Sequence, residues 1–141
     1  MAVVLDLYSR AVVGWSMGEW ITRDPGVQAL TMAIWRRQPH AGLIVHLDRG
    51  SQYASHDYQR LLVRRGILCS MSRKGDCYDN AAMESFFHSL KVEQTEGKRY
   101  PTRKDARADE FKYIASYYNR KRRHSTLNDL SPCDFEDRRA A

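Results

Sequence analysis

Short apolar runs alternate with segments of helical period along the first 71 residues, and this alternation restricts the possible folds more than any other feature. Residues 2–8 and 11–20 read as two antiparallel strands with a tight turn near Ser9-Arg10. Asp24-Pro25 supplies an N-cap followed by proline at the first helical position. Val27, Leu30 and Ile34 mark one face of a helix to about Arg37, where Arg36-Arg37 suit the C-terminal dipole. A strand over 43–47 follows. Ser55 can cap a helix whose apolar face is Tyr58, Leu61 and Leu62, and Gly66 suits its C-terminal end. Residues 67–71 form a short strand. Strands separated by helices need crossover connections, so the expected class is α/β, a mixed sheet with helices on its faces.

Two acids stand at informative places in this pattern. The run Leu43-Ile44-Val45-His46-Leu47 ends on Asp48, and Arg49-Gly50 break it, which reads as a buried strand with a carboxylate at its C-terminal edge. Beyond thirty-five intervening residues, Glu84 follows the N-cap pair Asp79-Asn80 on a helix predicted through about Glu93. Glu84, Phe87, His88 and Lys91 fall at i, i+3, i+4 and i+7, hence on one face. Two such carboxylates can hold divalent cations, because hard ions such as Mg2+ or Mn2+ take oxygen ligands and keep positions open for phosphate oxygens. The plainer reading makes Asp48 a turn residue before Gly50 and Glu84 an ordinary first-turn glutamate. Spacing alone leaves both open.

Residues 72–79 form a polar loop leading into the Glu84 helix. Its Arg73, Lys74 and Tyr78 combine charge with an aromatic face, which suits phosphates and unstacked bases; a solvated loop is the alternative. A long helix is expected from about Thr102 to Tyr118, packing through Ala106, Phe111, Ile114 and Tyr118. Arg120, Lys121, Arg122, Arg123 and His124 follow at once, either as phosphate contacts or as a solvated charged face. The tail from Leu127 to Ala141 is expected to dock through Leu130, Pro132 and Phe135.

The 141 residues are read as one domain, residues 1–141, with a basic C-terminal segment 119–141. The formal charge is +6 and the pI near 9.4, and residues 91–141 hold 13 Lys/Arg against 9 Asp/Glu. That modest bias fits a nucleic-acid partner without establishing one. Cys69, Cys77 and Cys133 form no CxxC pair, which argues against a disulfide framework and a structural zinc site. No apolar run approaches the roughly 18 residues of a membrane span, and no signal peptide is readable. A reducing cytoplasmic setting, without membrane, is the expectation.

Long, specific stretches also resemble a known family. They are His46-Leu47-Asp48-Arg49-Gly50-Ser51-Gln52-Tyr53 and the run from Ser70 through Arg73-Lys74-Gly75-Asp76-Cys77-Tyr78-Asp79-Asn80 to Glu84-Ser85-Phe86-Phe87. With Val3-Val4-Leu5-Asp6-Leu7-Tyr8-Ser9-Arg10 at the start and Tyr118-Asn119-Arg120-Lys121-Arg122-Arg123-His124-Ser125 near the end, the chain resembles the DDE transposases of the bacterial insertion-sequence-three family, relatives of the retroviral integrase core. Leu47 stands where the family usually has a small polar residue, and Asp76 where Asn is common; neither change removes a carboxylate.

The resemblance implies a ribonuclease H-like mixed sheet flanked by helices and a two-metal DNA strand-transfer site using Mg2+ or Mn2+. Asp48 matches the second acid of the triad, Glu84 the third, and Lys91 the basic residue that follows the glutamate by seven. The first acid belongs to a strand upstream of the segment matching Ala2 to Arg10, so the first strand and its aspartate are expected to be absent from this chain. Asp6 matches a recurrent second-strand aspartate, expected as a structural acid paired locally with Arg10 rather than as a metal ligand. DNA is the implied partner, in the bacterial cytoplasm and on the nucleoid when bound, with a homo-oligomer or an intact transposase in any active assembly. The alternative is a non-catalytic remnant that binds DNA or a partner protein. Target and terminal-repeat preference are not readable, because the upstream helix-turn-helix segments that usually carry it are not seen.

Overall fold

Asp6 ends the first strand earlier than the apolar pattern suggests. The computed structural model describes residues 1–17, 24–47, 55–71 and 81–140, and in it β1 spans Ala2–Leu5 and β2 spans Val12–Ser16. The Asp6 carboxylate accepts hydrogen bonds from the Tyr8 and Ser9 amides at 2.8 and 3.3 Å, which bends the chain where the apolar pattern alone suggests extension to residue 8. The Asp6 amide donates to the Ala11 carbonyl at 2.8 Å, and Arg10 takes a left-handed conformation at φ 61°. β1 and β2 pair, and a connection this short joins only antiparallel neighbours.

The chain forms two compact units, Met1–Val4 with Val13–Ala81, and Leu5–Val12 with Ala82–Ala141. In the first, helix α1 (Pro25–Arg37) begins as the sequence predicts. The Asp24 side chain accepts from the Gly26 and Val27 amides, and proline occupies the first helical position. Strand β3 (Ile44–Leu47), helix α2 (His56–Arg65) and strand β4 (Leu68–Met71) follow. Ser55 caps α2 by accepting from the Tyr58 amide at 3.2 Å, and its hydroxyl donates to Asp24 at 2.7 Å. One carboxylate thus serves two helix N-termini, where its negative charge meets both positive dipole ends. Gly66 ends α2 in the left-handed conformation, at φ 66°.

β3 and β4 run parallel, with Ile44 opposite Leu68 and Leu47 opposite Met71, and α2 is their crossover. Leu30 and Ile34 of α1, Leu47 of β3, Tyr58 and Leu62 of α2, and Ile67 make one buried cluster. Among the described residues the strands form two separate two-stranded sheets rather than one continuous sheet. The class is therefore mixed α/β, with an antiparallel and a parallel pair.

In the second unit, α3 (Ala81–Leu90) continues without a break as a π-helical segment over Lys91–Thr95. α4 (Arg103–Lys112), capped by Thr102, likewise continues as a π segment over Tyr113–Tyr118. A 3-10 turn at Ser125–Leu127 precedes α5 (Pro132–Ala140). Ser131 caps α5 by accepting from the Asp134 amide while its hydroxyl bonds the Asp134 carboxylate. The tail docks through Phe135, whose ring meets Tyr8 edge-on at 5.2 Å. Pro132 is buried with it. No described helix is long and apolar enough to cross a membrane.

Gly14 of β2 packs directly against the backbone of α1. A Cβ there would lie 2.1 Å from the Ala29 carbonyl oxygen of α1, which no side-chain rotation relieves. Gly14→Ala is expected to lower the unfolding free energy by about 1–3 kcal/mol or more. Urea denaturation checks this, and an unchanged midpoint would show that β2 and α1 do not approach so closely.

Candidate functional site

α3 has two chemically different faces. Phe86, Ser89 and Leu90 are buried, and the Phe86 ring meets Tyr118 edge-on at 4.9 Å. That anchoring fixes the rotation of the helix about its axis. Glu84, Phe87 and His88 are exposed, as is Lys91 where the helix passes into its π segment. The face predicted from i, i+3, i+4, i+7 spacing is therefore the solvent face, carrying a carboxylate and an ammonium two turns apart, about 10 Å along the axis.

Asp48 directly follows Leu47, the buried last residue of β3. Asp48, Arg73, Lys74 and Tyr78 lie outside the described residues, so the structure neither joins nor separates Asp48 and Glu84. Among the described residues no group of three or more His, Cys, Asp or Glu is placed to hold a metal. The donor set assigned from sequence, two carboxylates with one of them exposed on α3, has the oxygen chemistry that Mg2+ or Mn2+ requires. Asp6 is placed differently: backbone amides occupy its carboxylate, so it is a turn-forming acid. Its local partner is main chain rather than the Arg10 side chain, while the Arg10 amide bonds the Asp6 carbonyl at 2.7 Å.

The basic run after α4 divides into structural and exposed members. The Asn119 amide clamps Val12 from both sides, its Nδ2 donating to the carbonyl and its Oδ1 accepting from the amide, each at 2.9 Å. The Asn119 carbonyl accepts from the Cys133 amide at the start of α5. Arg122 Nε donates to both Glu93 carboxylate oxygens at 2.9 and 3.0 Å, and its guanidinium lies 5.9 Å from the Tyr118 ring centroid. Tyr113 donates its hydroxyl to the same glutamate at 2.6 Å. Burial and this bond push the Tyr113 phenol far up, and burial pushes Tyr118 to about 12. Arg120, Lys121 and Arg123 are exposed.

His124 belongs to the structural group. Its ring meets Tyr118 edge-on at 5.1 Å, its carbonyl accepts from the Leu127 and Asp129 amides, and its amide donates to Leu130. Its Nε2 is buried without a hydrogen-bond partner. Burial, then the nearby Arg122 and Arg10 charges, bring its pKa down to about 4, so it is neutral at pH 7. Glu93 and Asn119 were not evident as key residues from sequence, since their partners lie 20 to 107 positions away and no local spacing announces them.

Several known proteins are similar to this chain. The Integrase core domain family matches residues 1–77, and a second Integrase core domain family matches residues 84–139. The transposase InsF for insertion sequence IS3A of Escherichia coli strain K12 is 53% identical over 141 residues, all of this chain and 49% of the relative. An uncharacterized 31 kDa protein of insertion element IS600 from Shigella sonnei is 44% identical over 138 residues, 98% of this chain and 51% of the relative. The chain spans about half the length of the curated relatives it matches.

Because the folded imidazole of His124 binds its proton less readily than the ordinary 6.5, the unfolded chain protonates first as pH falls. The His124 contribution is complete above about 6.5 and is lost as pH drops toward about 4. Urea midpoints measured across this window should fall less in His124→Phe than in the wild type. Equal falls would show that the imidazole is not held neutral.

Proposed function

We propose, because this chain belongs to the integrase core domain family and groups there with the transposases of the insertion-sequence-three family, that it is a catalytic core for DNA transposition. In the intact enzyme the reaction is cleavage and strand transfer of DNA phosphodiesters. The observation that carries the reading is the exposed Glu84–Lys91 face of α3, in a chain whose length matches the integrase core over nearly its whole extent.

Asp48 and Glu84 are the carboxylates that would hold Mg2+ or Mn2+. When bound, such ions activate the attacking oxygen and stabilise the leaving one. The chain's own contribution is positional. Phe86 and Leu90 hold α3 so that Glu84 faces outward with a fixed direction. Lys91 lies on the same face, where its ammonium can orient a substrate phosphate and offset charge at the reacting group. Arg73, Lys74 and Tyr78, which precede α3 in the sequence, with Arg120, Lys121 and Arg123, supply contacts to backbone and unstacked bases. Arg122 contributes through Glu93, as a brace that keeps its neighbours in place, rather than through a phosphate.

The whole of residues 1–141 is read as one ribonuclease H-like core, of which the β1–β2 and parallel β3–β4 pairs are parts. Transfer of two DNA ends calls for at least a dimer of the active protein, and the place of action is the bacterial nucleoid.

The experiment is a Mg2+- or Mn2+-dependent nicking and strand-transfer assay, run on this chain and on a form extended upstream by the first strand that the family carries. Metal-dependent turnover of the extended form alone, abolished by Asp48→Asn or Glu84→Gln with DNA binding retained, is the expected outcome. DNA binding without metal-dependent turnover in either wild-type form would replace the catalytic reading with that of a DNA-binding or partner-binding remnant.

A further inference from the structure

An open cleft of about 400 Å³ lies in the second unit, lined by the π segment after α4, the end of α4 and residues just past α3. Lys98, Lys112 and Lys121 surround it, with Ser116 and Tyr117 between them. Asp109 is the one acid in the lining, and it is already neutralised locally. Tyr100 donates its hydroxyl to it, which with a Gln94 bond and Lys98 at 3.2 Å holds the carboxyl below its usual range. Lys112 and Lys121 are exposed, and the lining carries a net positive charge. Tyr117 is 42% exposed, and its ring is propped against buried Tyr113 at 5.5 Å, whose hydroxyl is pinned to Glu93. An aromatic ring held from behind and flanked by ammonium groups is the arrangement that stacks a base while neutralising the adjoining phosphates.

We propose that this cleft binds an unpaired segment of DNA, with a base on Tyr117 and the flanking phosphates on Lys112 and Lys121. The choice of unpaired over duplex DNA follows from Tyr117, because only a base lifted out of its stack offers a free face. Ser116 adds a hydroxyl for a phosphate or sugar oxygen. The inference rests on the reading that this chain acts on DNA. It adds a contact region that none of the expected residues except Lys121 anticipates.

The test is anisotropy of fluorescently labelled oligothymidine and of a duplex of equal length, titrated with the full chain at several salt concentrations. Lys112→Ala/Lys121→Ala should weaken oligothymidine binding and reduce the slope of log K against log salt by about 1.4, two contacts at about 0.7 each. Tyr117→Ala should weaken it about 5- to 150-fold, and Tyr117→Phe should bind as the wild type. Oligothymidine carrying 5-iodouracil should crosslink the wild-type chain to a peptide containing Tyr117. A wild type that binds no DNA at low salt would defeat the DNA reading itself. DNA binding with unchanged affinity and slope in the lysine and Tyr117→Ala variants, and crosslinks confined elsewhere, would defeat the cleft alone. Loss from the lysine changes with none from Tyr117→Ala, equal for duplex and oligothymidine, would overturn the assignment to unpaired DNA.

Discussion

The Glu93 carboxylate is the interaction on which the arrangement of the second unit depends. It takes the Tyr113 hydroxyl on one oxygen and Arg122 Nε on both. It thereby joins the π segment after α3 to the π segment after α4 and to the basic run. A partly enclosed carboxylate needs such donors, since leaving one unmet costs about 1–3 kcal/mol or more. Its consequences spread by contact. Tyr113 is fixed, so Tyr117 is propped; Arg122 is fixed, so Tyr118 is covered, and Tyr118 receives both Phe86 and His124. The outward direction of Glu84 and the shape of the lysine cleft thus rest on the same bond network.

This network also changes the meaning of the basic run. From sequence it is a row of five cationic or titratable residues. In the folded chain, Asn119 before it and Arg122 and His124 within it serve the fold, while Arg120, Lys121 and Arg123 face solvent. The distinction has a physical basis. An arginine whose charge is paired with a carboxylate attracts a phosphate less, and an imidazole kept neutral by burial brings no charge. The solvent-facing positive charge of this segment is therefore smaller than its composition suggests, and Lys121 connects it to the cleft with Lys98 and Lys112.

Much of the first unit was legible because its signals are local. Asp24-Pro25, Ser55 and Gly66 mark helix ends through bonds within a few residues, and Tyr58 and Leu62 show their buried face by period alone. The solvent face of α3 was legible for the same reason. The β1 end was not, because apolar alternation says nothing of the Asp6 side chain competing for the Tyr8 and Ser9 amides. α5 is legible only as a docking tail, since its Ser131 cap is followed by charges with a weak period. The Glu93–Arg122 pair and the Asn119–Val12 clamp join distant positions, and no sequence period encodes them. Asp48 is legible as the end of an apolar run and Arg73-Lys74 as a charged stretch, while the family resemblance assigns their roles; none of the three falls within the described residues.

The most direct measurement is anomalous diffraction from crystals of the protein grown with Mn2+. Mn2+ density coordinated by both Asp48 and Glu84, and lost in Asp48→Asn, is the expected result. Carboxylates of Asp48 and Glu84 more than about 10 Å apart, too far to serve ions about 3.5–4 Å from one another, with no Mn2+ peak at either, would contradict the assignment of this chain's metal site.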